Sequence, residues 1–144
     1  YQLEGLPQDR PLHFAAEFNF AGLPSGADDR YFYQHDRQRC GQLGTKLDLH
    51  EIRELGLVDE WLGVDVNLAF SRPTSVWTFP VESVSQSEGG FELVHQSVAT
   101  LPHWLVQGDE NGRWNVAIHL AIDTCLAESR RTPENHEAVA HAEV

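Results

Sequence analysis

Between residues 77 and 104 the sequence concentrates the side chains best suited to chemistry. Glu82, Ser83, Ser85, Ser87, Glu88 and Glu92 put three carboxylates and three hydroxyls into one hairpin-sized stretch. Trp77 and Phe79 precede it, and His95, Gln96, His103 and Trp104 come after it. A sugar needs polar partners for its hydroxyls and an aromatic face for its apolar side, so this combination could line a carbohydrate site. The competing reading is a solvated hairpin, because Ser and Glu are ordinary turn and surface residues. A retaining glycosidase holds two carboxyl groups about 5–5.5 Å apart. Glu82 could meet Glu88 or Glu92 across a hairpin, but their spacing fits paired surface acids equally well.

Other chemistries find less support. The eight histidines, among them His13, His35, His50, His119, His136 and His141, form no His-x-x-x-His pair and no carboxylate pattern of the calcium-loop type. No Gly-x-Ser-x-Gly elbow occurs, no Gly-rich phosphate loop opens a helix, and neither Cys40 nor Cys125 lies beside a plausible base. No cofactor or metal is expected. The two cysteines match no zinc spacing and no disulfide framework, and a bridge between them is left open. Trp114 lies on the most regular apolar face and is read as core, as is Trp61 in Asp59-Glu60-Trp61-Leu62-Gly63. Trp77 and Trp104 admit two readings, core or a surface for a ligand or partner domain.

The elements that must position these residues are strands. Phe14, Ala16, Phe18 and Phe20 alternate with His13, Glu17 and Asn19, and Val64, Val66, Leu68 and Phe70 alternate with Asp65 and Asn67. Trp77, Phe79 and Val81 alternate with Thr78 and Glu82. The longest run sets Trp114, Val116, Ile118, Leu120 and Ile122 against Arg113, Asn115, His119 and Asp123. Residues 46–52 and 90–103 add strands, with Pro102 requiring an edge, a bulge or a strand end. Residues 48–57 alone also admit a short helix. Turns are expected at 22–26, at Ser71-Arg72-Pro73, at Glu88-Gly89-Gly90 and at 108–112, the last as a hairpin joining strands that end near Val106 and begin near Arg113. Seven or more strands at such spacing predict an all-β chain, an antiparallel two-sheet sandwich or barrel. Residues 129–144 lack apolar periodicity and read as a loose polar tail.

The length of 144 residues supports one domain, and a domain of this size buries about 68–70% of its unfolded surface, enough for a core without disulfides or metal. The formal charge of −12, with few and dispersed Lys and Arg, argues against a nucleic-acid partner. No run of 18 apolar residues and no signal peptide is visible, so no membrane partner is expected and the cytoplasm is the favoured compartment. The absence of methionine and the opening at Tyr1 suggest a piece of a longer protein.

Several segments together resemble the C-terminal β-domain of family 57 glycoside hydrolases, the α-amylase and 4-α-glucanotransferase type enzymes that act on α-glucans. They are Phe14-Ala15-Ala16-Glu17-Phe18-Asn19-Phe20, Gly63-Val64-Asp65-Val66-Asn67-Leu68, the W-x-F-P-x-E-x-x-S-x-S-E-x-G-F-E run from Trp77 to Glu92, and Gln96 through Pro102-His103-Trp104. The resemblance covers about residues 13–128. It implies a β-sandwich like the galactose-mutarotase supersandwich, over residues 1–128. It also implies that the nucleophile and acid lie on a separate (β/α) barrel, joined through a helical region. A barrel needs roughly 250 residues, so no catalytic residue carries over to this chain. The implied partners are that barrel and helical region, with α-glucan as a possible ligand. Trp77, Glu82, Ser85, Ser87, Glu88, Glu92, His95, His103 and Trp104 are the candidate carbohydrate or interdomain contacts. The alternatives are a carbohydrate-binding module and a stand-alone mutarotase, with His95 or His103 as acid and Glu82 or Glu92 as base at the anomeric centre.

Overall fold

The computed structural model describes residues 1–23, 26–87 and 89–130, with the backbone but not the side chain of Ser87. The strands run β1 (Gln2–Leu3), β2 (Leu12–Ala15), β3 (Phe18–Ala21), β4 (Arg30–Tyr33), β5 (Arg39–Gln42), β6 (Leu47–Asp59), β7 (Val64–Ser87), β8 (Gly90–Val106), β9 (Trp114–Asn115) and β10 (Ile118–Asp123). One helical turn, α1 (Cys125–Ser129), ends the described chain. The chain is all-β, 63% strand and 6% helix, in two unclosed antiparallel sheets. β1 and β9 form the smaller one. The larger has the order β2-β8-β7-β6-β4-β5, with β3 also on β8 and β10 also on β7. Residues 48–57 belong to β6, so their helical alternative is not taken.

Two long strands bend and so serve both halves of the large sheet. β7 pairs with β10 through residues 65–70 and with β8 from Ser75 onward, and β6 runs beside it with register shifts around Ile52. Glu51 sits at that irregularity with φ +53°, a left-handed backbone that costs a non-glycine residue and marks a bulge. Residues from both halves join one core: Phe32, Leu55, Leu57, Val66, Leu68 and Phe70 from one, Val76, Val98, Trp104 and Val106 from the other.

The expected turn at Ser71-Arg72-Pro73 is therefore a bend inside a strand, and this reverses the faces assigned to Trp77 and its neighbours. A turn would have reset the alternation. A bent strand carries it through, so the buried series Val66, Leu68, Phe70 continues as Thr74, Val76, Thr78. Trp77 and Phe79 consequently point to the opposite face from the one their apolar character suggested. The buried threonines find partners: Thr78 Oγ1 donates to Thr45 O (2.9 Å) and accepts from Leu47 N (3.1 Å), while Thr74 Oγ1 donates to His103 O (3.1 Å).

Four further expectations are corrected. Residues 13–20 form two strands rather than one, both on β8, and Pro102 lies opposite the break, where Ala16 N donates to its carbonyl (3.0 Å). A missing N–H costs no ladder bond there. The 108–112 loop does turn the chain, with Asp109 N donating to Arg113 O (3.0 Å), but β9 then pairs with β1 instead of closing a hairpin with β8. The long run from Trp114 splits into β9 and β10, and only its first half lies against the core. Leu120 and Ile122 are exposed on a strand that pairs, among the described residues, with β7 alone. Trp61, expected in the core, is 67% exposed in the turn between β6 and β7. The turn expected at 22–26 includes Pro24 and Ser25, and the polar tail expected at 129–144 consists mostly of 131–144; both stretches lie outside the described residues, whereas residues 125–129 are helical.

Candidate functional site

The outward parity of β7 exposes Trp77 by 39% on the open face of the large sheet. Register brings neighbours from three other strands to it. Asp48 on β6 lies opposite Trp77, and His103 on β8 lies opposite Ser75. Indole Nε1 donates to Asp48 Oδ1 (3.0 Å). The His103 ring lies 4.0 Å from the indole, tilted by 37°, and His13 from β2 meets the indole edge-on at 5.6 Å. His13 Nε2 and His103 Nδ1 are hydrogen-bonded to each other at 2.9 Å. His50 approaches Asp48 Oδ1 at 3.5 Å through Nε2 and Ser75 Oγ at 3.2 Å through Nδ1. The result is an indole fixed from its edge and one face, ringed by imidazoles, a carboxylate and a hydroxyl.

Protonation of His103 is disfavoured here. Burial lowers its pKa below 6.5 and His13 lowers it further, with Asp48 opposing and His50 adding to the depression. Its Nε2 is buried without a partner, so a second N–H at that atom would have no acceptor.

The predicted site residues separate. Trp77 and His103 are in this cluster, which also recruits His13, Asp48, His50 and Ser75. Nothing in the local sequence signals that His13, Asp48 and His50 lie beside Trp77, because only the pairing of distant strands makes them neighbours. Trp104 is only 7% exposed: it packs on Phe14 (6.0 Å), Trp114 (5.7 Å) and Phe70 (6.3 Å), and its Nε1 donates to Pro73 O (3.1 Å). Its place in the core removes it as a stacking surface.

Glu82, Ser85, Glu92 and His95 lie farther along the β7–β8 hairpin, which runs beyond the core as an arm. Glu82 pairs with His95 and Ser85 with Glu92, so Glu82 and Glu92 project from opposite faces. They do not form a facing pair of acids. His95 Nε2 donates to Leu23 O (2.9 Å). The Glu82 face of the arm also carries Val84, Phe91 (77% exposed) and Leu93 (68%), an apolar strip that the polar composition of 82–92 concealed. Ser87 closes β7 in register with Gly90; its side chain, and Glu88 altogether, lie outside the described residues.

A second cluster lies in the other half of the molecule, around a cleft of ≈ 220 Å³ lined by Arg37, Asp59, Glu60, Asp65 and Asp123. Asp59, Glu60 and Asp65 are each paired with an arginine, and Asp123 accepts from Cys125 N (2.8 Å). The buried Asp59 accepts from Arg30 Nε (2.9 Å) and Leu62 N (2.8 Å), and Asp65 accepts from Tyr33 OH (2.8 Å) and from Arg37. Tyr33 in turn lies over Gly56, where a Cβ would stand 2.0 Å from its ring. This is a structural network. Among the described residues no group of three or more His, Cys, Asp or Glu is arranged to hold a metal. Burial pushes the Cys40 thiol up, and the hydrogen bond to Asp123 does so for Cys125, so neither is an activated thiolate.

Comparison with known proteins supplies the family. The model of the alpha-amylase/4-alpha-glucanotransferase C-terminal domain matches residues 1–118. The matched span starts before the expected residue 13, taking in β1 and its pairing with β9, and stops before most of β10 and α1. No curated protein and no solved structure gives a match. With an all-β antiparallel fold and a family match over most of its length, this chain belongs to the C-terminal domain family of α-amylases and 4-α-glucanotransferases.

Proposed function

We propose that this domain is a non-catalytic accessory part of a family 57 type α-glucan hydrolase or glucanotransferase, packed on a catalytic barrel and its helical region. The family match over residues 1–118 carries the reading. The opposite projection of Glu82 and Glu92 agrees with it, since hydrolysis at a glycosidic bond needs two carboxyl groups facing one substrate. The β7–β8 arm is the contact best suited to a partner domain. Val84, Phe91 and Leu93 form an apolar strip with no second layer behind it among the described residues, the kind of surface that a neighbouring domain covers.

The test pairs this chain with the separately expressed catalytic part of its parent. Association by calorimetry is expected, with loss of at least about tenfold in affinity, roughly 1.4 kcal/mol, in Phe91→Asp/Leu93→Asp. The chain alone is expected to leave starch and maltooligosaccharides unchanged and to leave the mutarotation rate of glucose and galactose unchanged in polarimetry. Turnover by the isolated chain defeats the non-catalytic reading, and undiminished association of the double variant defeats the arm as the contact.

A further inference from the structure

We propose that the Trp77 platform is a binding surface for an α-glucan segment, with Trp77 as the stacking ring and Asp48, His13 and His50 as hydrogen-bonding partners. The identity of the sugar rests on the accessory-domain reading; the platform itself rests on geometry.

A glucose unit offers an apolar face of C–H groups and a rim of hydroxyls. It is held by a flat aromatic surface with donors and acceptors at its edge. Trp77 provides such a surface. One side is backed by His103 and the edge is tied to Asp48, and Trp77 as a residue is 39% exposed, so the contacts that fix the ring are present in the unliganded chain. An ordered ring loses little entropy on binding, which favours weak ligands such as sugars. At the rim, Asp48 Oδ1 is engaged by Trp77 and His50, while Oδ2 accepts nothing among the described residues. His13 and His50 are exposed imidazoles at this rim: His13 directs Nε2 to His103, and His50 directs Nδ1 to Ser75 and Nε2 to Asp48. The donors and acceptors belong to β2, β6, β7 and β8, four adjacent strands, so the surface is open and suits an extended chain rather than an enclosed monosaccharide.

The other exposed indole differs in kind. Trp61 has the Arg30 guanidinium 5.9 Å from its ring centroid and stands in a turn beside Glu60, without convergent imidazoles. It serves as the internal control.

Maltoheptaose titrated into the full chain should quench tryptophan emission saturably, with a dissociation constant on the order of 1 mM. Trp77→Ala should abolish the saturable quench, Trp77→Phe should retain weakened binding measured by calorimetry, and Trp61→Ala should leave the affinity unchanged. Far-UV circular dichroism identical to the parent chain establishes that the variants are folded. Absence of binding by calorimetry up to 10-fold above that concentration overturns the proposal, as does full affinity in Trp77→Ala or loss of affinity in Trp61→Ala alone. Failure here leaves the domain association test of the accessory role unaffected, because that test reads Phe91 and Leu93 on the arm.

Discussion

β7 and β8 run side by side through two different environments. Near Thr78 and Trp104 their inward side chains meet a second layer of sheet, and Val76, Val98, Thr100 and Val106 are buried. Past Glu82 the same pair continues as the arm, and Val84, Phe91 and Leu93 are left in water. Backbone pairing is as regular in the arm as in the core, apart from the shift between Val81 and Glu82. Strand pairing and burial are therefore separate matters: hydrogen bonds hold the ladder together, while stability comes from what stands behind it.

The largest test of this contrast replaces one aromatic residue in each environment of β8. Trp104→Ala should destabilise by about 3–5 kcal/mol, because it empties a site packed by Phe14, Phe70 and Trp114. Phe91→Ala should stay within about 0.5 kcal/mol. Urea unfolding followed by circular dichroism measures both; equal losses would mean that the arm is as structural as the core.

A polar pair on β7 sharpens the comparison. Thr78→Val keeps the shape but leaves Thr45 O and Leu47 N without their buried partner, at a cost of about 1–3 kcal/mol. Ser85→Val on the exposed arm should change stability by less than about 0.5 kcal/mol. Similar values at the two positions would show that the Thr78 hydroxyl is not needed.

The smallest expected effect concerns pH. His103 has a folded pKa below its ordinary 6.5, from burial first and His13 second, with Asp48 opposing and His50 adding. Between the two values the unfolded chain binds more protons, so folding stability rises with pH in that window. The contribution is complete above pH 6.5 and disappears as pH falls through the folded value. His103→Asn should therefore flatten the fall in melting temperature between pH 7 and pH 5. An unchanged slope would place the titrating group elsewhere.

Alternation exposed most of the strands, because a half-buried strand must alternate whichever sheet it joins. The series Val64, Val66, Leu68, Phe70 landed inward as read. Trp77, Phe79 and Val81 did not, because Ser71-Arg72-Pro73 has the composition of a turn and became a bend that preserves parity. For the candidate site, Trp77 and His103 were legible as aromatic and imidazole groups near a polar stretch. Their companions His13, Asp48 and His50 come from strands distant in sequence, so only register assembles them.

Composition and period thus determined that this protein is an antiparallel β domain, and the motifs between Phe14 and Trp104 placed it among the C-terminal domains of α-glucan enzymes. The tertiary structure decided which tryptophan is covered. Trp77 and Trp104 are both aromatic and both lie on long strands, but one side of a sheet meets another layer and the other meets solvent. That assignment depends on long-range pairing and on the bends in β6 and β7, which no local window of residues contains.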